Sequence, residues 1–141
     1  MRHRFLSKRM ALLLGALAFC GCSTSKDVDV ASRAVRQFHE QVNAGQDDAI
    51  YTAADATYKE AMTRDTNRSF FSRIRRKLGA FKKGERTGYL VNATTNGTFV
   101  RFHYKTHCVG GELEEEFVWR VEADRAILVR YEANSPLLLT N

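Results

Sequence analysis

The chain reads as an α+β domain in which N-terminal helices cover a four-stranded antiparallel meander sheet. Three observations lead there. Between residues 30 and 78 apolar residues recur at spacings of three and four, the period of a helix with one buried face. In the second half they fall on alternate positions, the period of a strand. Turn dipeptides, Asn96-Gly97 and Gly110-Gly111, divide that half into segments of strand length. A length of 141 residues suits one domain, and 44% hydrophobic with 27% charged residues is ordinary for a globular chain.

The helices come first. Asp29 caps a helix over residues 30–44, with Ala31, Val35, Phe38 and Val42 as its apolar stripe and Gly45 as its stop. Asp47 caps a second helix through Ala54, with Ile50, Ala53 and Ala54 inward. Residues 57–62 continue it after a bend. Asp65 or Thr66 caps a third helix ending at Leu78, with Phe70, Phe71, Ile74 and Leu78 inward and Gly79 beyond its end.

The turns then set the strand register. A two-residue loop at Asn96-Gly97 places Ala93 opposite Val100, Val91 opposite Phe102 and Tyr89 opposite Tyr104. A loop at Gly110-Gly111 places Thr106 opposite Glu115, Tyr104 opposite Phe117 and Phe102 opposite Trp119. Both loops put Val100, Phe102 and Tyr104 on one face, and a slip of one residue would reverse every side chain. For the last hairpin, a two-residue loop would turn Arg130 and Glu132 inward. A three-residue loop, 123–125, turns Ile127, Val129 and Tyr131 inward instead and is preferred. The resulting inner face is Tyr89, Val91, Phe102, Tyr104, Phe117, Trp119, Val129 and Tyr131.

The first 22 residues have a different character. A basic stretch, MRHRFLSKR, precedes ten mostly apolar residues, Met10 to Phe19. That run is too short to span a bilayer as a helix, which takes about 20 residues, and it fits the apolar region of an export signal. The net charge of +6 owes four units to Arg2, Arg4, Lys8 and Arg9, and residues 1–22 hold no acid, so the remainder carries +2. A nearly balanced domain has no global attraction to a polyanion, and nucleic acid is not an expected partner.

The segment MALLLGALAFCGCSTS ends in a pattern that resembles the lipobox of bacterial lipoproteins, with Gly21 as the small residue before Cys22. The resemblance implies cleavage before Cys22, a diacylglyceryl thioether on its sulfur and an N-acyl chain, enough for stable anchoring. Phe19 and Cys20 depart from the usual leucine and small residue. Ser23 follows the cysteine, which in that family favours the outer membrane, facing the periplasm. Competing readings are cleavage after Ala18 at the A-x-A site, leaving a secreted protein with three cysteines, and an uncleaved anchor. On the lipobox reading, 1–22 is a signal peptide, 23–29 a short polar tether of roughly 25 Å when extended, and 30–139 the domain. Cys108 is then left without an intramolecular partner, and its strand position favours burial.

Helices followed by a curled sheet resemble the cystatin-like and nuclear-transport-factor-2-like superfamily. The stretches FHEQVNAGQDDAIYTAA, RRKLGAFKKGE and AILVRYEANSPLL are similar to a group of uncharacterised bacterial lipoproteins. The likeness covers about residues 30–139 and brings no catalytic motif. The superfamily holds both isomerases and non-catalytic modules, so fold does not decide function.

Chemistry-bearing residues are few. His103 and His107 lie four apart on a strand, about 13 Å, too far to share an ion, so no metal and no cofactor are expected. The register instead pairs His107 with Glu114 and Lys105 with Glu116. Glu115 falls on the apolar-face parity and is the one candidate general base, against a role as a solvated rim residue. Tyr89, Tyr104, Glu115, Trp119 and Tyr131 are the candidate pocket residues, against plain core. His39 is a candidate to join a Glu115 site from the first helix, but it follows the inward Phe38 and is expected at the edge of the polar face of that helix. Arg73, Arg75, Arg76, Lys77, Lys82 and Lys83 form a candidate contact with an anionic surface, against a solvated helix face. KLGAFKKGE has too few glycines for a phosphate cradle. The expected function is a lipid-anchored bacterial envelope protein, membrane-bound through Cys22, acting as a non-catalytic module for an envelope protein or anionic polymer. The alternative is a small-molecule-binding or isomerase-like pocketed domain using Glu115.

Overall fold

The computed structural model describes residues 22–140, with side chains from Thr24 onward. Residues 1–21 of the signal-like segment therefore lie outside the described residues, Cys20 and Gly21 included. Helix α1 is Cys22–Asn43, α2 Asp47–Ala53, α3 Ala56–Ala61 and α4 Arg64–Leu78. Strands β1 Phe81–Thr94, β2 Gly97–Cys108, β3 Gly111–Glu122 and β4 Arg125–Asn134 follow, and a short helix α5, Pro136–Leu139, ends the chain. The strands form one open sheet in the order β1-β2-β3-β4, each antiparallel to the next. The architecture is the expected α+β meander with N-terminal helices.

Helix α1 includes the segment expected as an extended tether. Val28 adds one more position to the stripe of Ala31, Val35, Phe38 and Val42, and it packs against the buried core. Ser32 Oγ donates to the Val28 carbonyl at 2.7 Å, and Lys26 meets Asp124 of the β3–β4 turn at 2.9 Å. Residues 23–29 thus rise about 10 Å as helix rather than reaching 25 Å as extended chain.

The caps also differ from expectation. Gln46 precedes α2, and Asp47 is its first helical residue, buried against Arg75. Asp55 caps a separate α3, accepting from the Thr57 N–H at 2.9 Å. Thr63, not Asp65 or Thr66, caps α4 and accepts from the Thr66 N–H at 3.2 Å. In α2 Ile50 is inward but Ala53 is exposed, and Ala54, just past the end of the helix, is buried.

Both early turns sit one residue nearer the N-terminus than expected. The β1–β2 loop is Thr95-Asn96, pairing Val91 with Val100 and Tyr89 with Phe102. The β2–β3 loop is Val109-Gly110, pairing Thr106 with Leu113, Tyr104 with Glu115 and Phe102 with Phe117. Each partner moves by two residues, an even shift, so the inward and outward sets of β2 and β3 survive. The β3–β4 loop is Ala123-Asp124 rather than three residues, with Ala123 at φ 53. A bulge between Leu128 and Arg130 resolves the parity conflict: Leu128 and Tyr131 are buried, and Arg130 and Glu132 are exposed. Leu128 thus replaces Ile127 and Val129 as the buried residue. Tyr89, expected inward, is 59% exposed.

Phe38 is the centre of the core. Its ring lies 5.1 Å from that of Phe117, 4.7 Å from Tyr131 and 5.6 Å from Phe71. It so joins α1 to β3, β4 and α4. Burying one such ring stabilises by roughly 1.5–3 kcal/mol, before the entropic cost of ordering it. Asn43 ties the end of α1 to the sheet: its side chain accepts from the Phe81 N–H at 2.8 Å and donates to the Phe81 carbonyl at 3.0 Å.

Gly79 makes the turn from α4 into β1 at φ 72, ψ −158, a conformation nearly confined to glycine. A Cβ there would stand 3.1 Å from that of Val109. Gly45 also has φ 69, but a Cβ would meet nothing within 4 Å. Urea unfolding is expected to show Gly79→Ala losing about 1–3 kcal/mol, more than Gly45→Ala.

Candidate functional site

Alternation along β3 directs Leu113, Glu115, Phe117, Trp119 and Val121 to the helices, so an acid enters an otherwise apolar row. The Glu115 side chain has no solvent exposure. A carboxylate in that position needs donors from the protein, and three converge on it. His39 Nε2 of α1 donates at 2.9 Å to one oxygen and lies 3.2 Å from the other. Tyr131 Oη of β4 donates at 2.7 Å, and Thr106 Oγ1 of β2 makes the third bond. Burial, reinforced by the charge on Glu115, holds the Tyr131 phenol well above its ordinary range, so it stays a donor. His39 is 13% exposed in its side chain and is walled by the rings of Phe81, Phe117 and Tyr104.

A surface cleft of about 740 Å³ lies beside this cluster. It is lined by Met62 and Phe70 from the helices and by His103, Lys105, Glu114, Glu116 and Glu132 from the sheet. Tyr104, Glu115 and Tyr131 also border it, but the enclosed Glu115 carboxylate does not open into it. Of the five expected pocket residues, Glu115, Trp119 and Tyr131 are buried, Tyr104 is half-buried and Tyr89 lies on a different groove. The structure joins Glu115 and Tyr131 by a hydrogen bond, sets Tyr104 beside them and leaves Tyr89 and Trp119 apart from the cleft. Thr106, expected directly opposite Glu115, stands opposite Leu113 and still bonds to Glu115, and His39, expected at the edge of the polar face of α1, reaches the same carboxylate. The available signal was parity: Thr106 shares the inward face of β2 with Phe102 and Tyr104.

The outward face of the sheet is laced with opposite charges. Lys105 meets Glu112 at 2.8 Å, His107 meets Glu112 at 3.3 Å, and His103 and Arg101 approach Glu116 at 3.7 and 3.8 Å. The expected pairing of His107 with Glu114 and Lys105 with Glu116 is displaced by the two-residue shift in register. Such exposed pairs contribute about 0.2–1 kcal/mol each.

The six candidate basic residues do not act as one face. Arg75 forms a two-pronged pair with Asp47 at 2.6 and 2.7 Å and donates to the Val42 carbonyl at 3.0 Å. Lys83 pairs with Glu85 at 2.8 Å. Arg73 and Lys77 donate to the carbonyls of Leu138 and Thr140, and Arg76 to the Ser72 hydroxyl. Those acceptors are neutral, and among the described residues Arg73, Arg76, Lys77 and the exposed Lys82 meet no carboxylate, so they keep a positive field near the end of α4 and the start of β1. Buried Asn67 completes the helix layer, donating to the Asp47 carbonyl at 2.9 Å and accepting from Tyr58 Oη at 2.7 Å.

No family model matches the chain, and no curated protein does.

Three outcomes follow from this geometry. Glu115→Ala strands three donors and is expected to lose about 3–5 kcal/mol in urea unfolding; a loss under about 0.5 kcal/mol would show a solvated group. Arg75→Ala uncovers Asp47, whose side chain is 9% exposed, and is expected to cost about 3 kcal/mol, whereas Arg76→Ala stays within about 0.5. Burial pushes the Cys108 thiol up to about 11 from 9.0. Ionisation therefore begins only as pH rises toward that value, and at pH 8 its thiolate fraction is about a hundredfold below that of an ordinary thiol. Alkylation of Cys108, followed by peptide mass, is expected to be slow in the folded protein and fast in urea.

Proposed function

We propose that the protein is a lipid-anchored bacterial envelope protein whose domain is a binding module and not an enzyme. The anchor rests on the apolar run and the Gly21-Cys22 junction. Cys22 is the first described residue of α1, shortly ahead of the exposed Thr24, Ser25 and Lys26. The observation that carries the non-catalytic reading is the saturation of Glu115. The one acid expected as a base has its oxygens occupied by His39, Thr106 and Tyr131, and its side chain lies out of reach of anything in the cleft. A general base must come within hydrogen-bond reach of the proton it takes. The helix-over-curled-sheet layout supports the likeness to the cystatin-like and nuclear-transport-factor-2-like superfamily and to its lipoprotein members. The outer membrane, facing the periplasm, is the location that Ser23 favours.

The partner we propose is an anionic envelope polymer or an acidic protein surface, met by Arg73, Arg76, Lys77 and Lys82. Their charges, which meet no carboxylate among the described residues, are the attraction on offer. Arg75 belongs to the fold and not to this surface.

The test uses the full chain expressed in a bacterium. Intact mass is expected to show loss of residues 1–21 and addition of acyl chains, and Cys22→Ser is expected to abolish flotation with membranes. A Cys22→Ser protein that still floats would refute the anchor. The double variant Arg76→Glu, Lys82→Glu is expected to stay folded and to lose co-sedimentation with isolated anionic cell-envelope polymer; unchanged co-sedimentation would refute the contact.

A further inference from the structure

The charges of this chain are unevenly spread along the sheet. From Thr87 to Val100 there is no charged residue and no histidine, although 27% of the chain is charged. This run is the outer half of the β1–β2 hairpin, with Tyr89 59% and Leu90 61% exposed. Large apolar groups on a bare edge strand are usually blunted by charge, and here the strand from Thr87 onward carries none, leaving only Arg86 and Asp29 at the rim.

The same end of the molecule receives the N-terminus. Thr24, Ser25 and Val28 of α1 share a groove of about 650 Å³ with Tyr89, Leu90 and Val91. From Val28 back to Cys22 the helix rises about 9 Å. From Val91 to the turn at Thr95 the strand rises about 13 Å. The first turns of α1 and the outer half of the hairpin therefore lie at the same end of the domain. Arg86 lies over the Tyr89 ring, its guanidinium carbon 5.1 Å from the centroid, at the edge where the uncharged run ends. An aromatic ring with an arginine at its rim suits the boundary between acyl chains and headgroups. The basic residues Arg73 and Lys77 lie at the far end, beside Leu138 and Thr140, beyond the roughly 36 Å of β2.

We infer that the β1–β2 hairpin from Tyr89 to Thr98 is a lipid-contacting surface that sets the domain upright on the membrane. The occupant of the groove edge is the headgroup layer of the bilayer that holds the acylated Cys22, and the basic end points away from it. This inference rests on the anchor at Cys22. A rival surface exists at the other end, where Leu137 and Leu139 are 38% and 78% exposed on α5, and it makes the opposite prediction.

The experiment uses the acylated protein recovered from bacterial membranes, its acyl chains verified by intact mass. It is placed in nanodiscs of phosphatidylethanolamine and phosphatidylglycerol containing a headgroup-nitroxide lipid. Amide signals of Tyr89 to Thr98 are expected to be lost to the spin label, while those of Thr106 to Glu114 and Leu137 to Thr140 persist. An acylated protein that loses signals around α5 instead, uniformly, or nowhere overturns the orientation and leaves the anchor standing. A protein that carries no acyl chains and does not float overturns the anchor reading, and the orientation falls with it.

Discussion

A carboxylate shut away from water must find its donors inside the protein, and Glu115 finds them on three other elements. His39 brings α1 to it, Thr106 brings β2 and Tyr131 brings β4. The rings around this cluster obey the same geometry. Phe38 precedes His39 and packs on Phe117 and Tyr131, so the helix that delivers the imidazole also delivers the largest buried ring of α1. A rotation of α1 would break both at once. The polar cluster therefore fixes which way the helix lies in the curl of the sheet, a choice that apolar packing alone leaves open.

The helices are bound to each other by a second buried polar group. Arg75 of α4 holds Asp47 at the start of α2 and the Val42 carbonyl of α1, and Asn67 of α4 reaches Asp47 and Tyr58 of α3. The apolar stripes bring the helices together, and these bonds set their angles. What remains for function is the surface: the charge-free outer half of the β1–β2 hairpin beside the start of α1, where the anchor is proposed, and a basic end away from it. On this reading the interior supplies rigidity and the two ends divide the work of facing a membrane and facing a partner.

The fold class was legible because period is a strong signal. The stripe of Ala31, Val35, Phe38 and Val42 and the alternation of Phe102, Phe117 and Trp119 survive errors in the turns. Both early loops were displaced by one residue, but the resulting two-residue shift preserved parity. Thus Glu115 was placed inward for a sound reason, while its partner across the sheet was misassigned. The bulge near Val129 was hidden because no local residue announces it; it arises from burying Leu128 and Tyr131 together. The role of His39 was hidden because it depends on where α1 crosses the sheet, 76 residues away from Glu115 in sequence. Arg75 looked like one of several surface cations because the burial of Asp47 is a tertiary event.

The most direct test of the Glu115 cluster as the joint between helix and sheet is a double-mutant cycle in urea, with His39→Ala, Tyr131→Phe and each combined with Glu115→Gln. Groups that act through one shared carboxylate are coupled, and a coupling energy of about 1 kcal/mol or more is predicted for both pairs. Additive losses, within about 0.3 kcal/mol, would show that His39 and Tyr131 do not depend on Glu115 and would contradict the account.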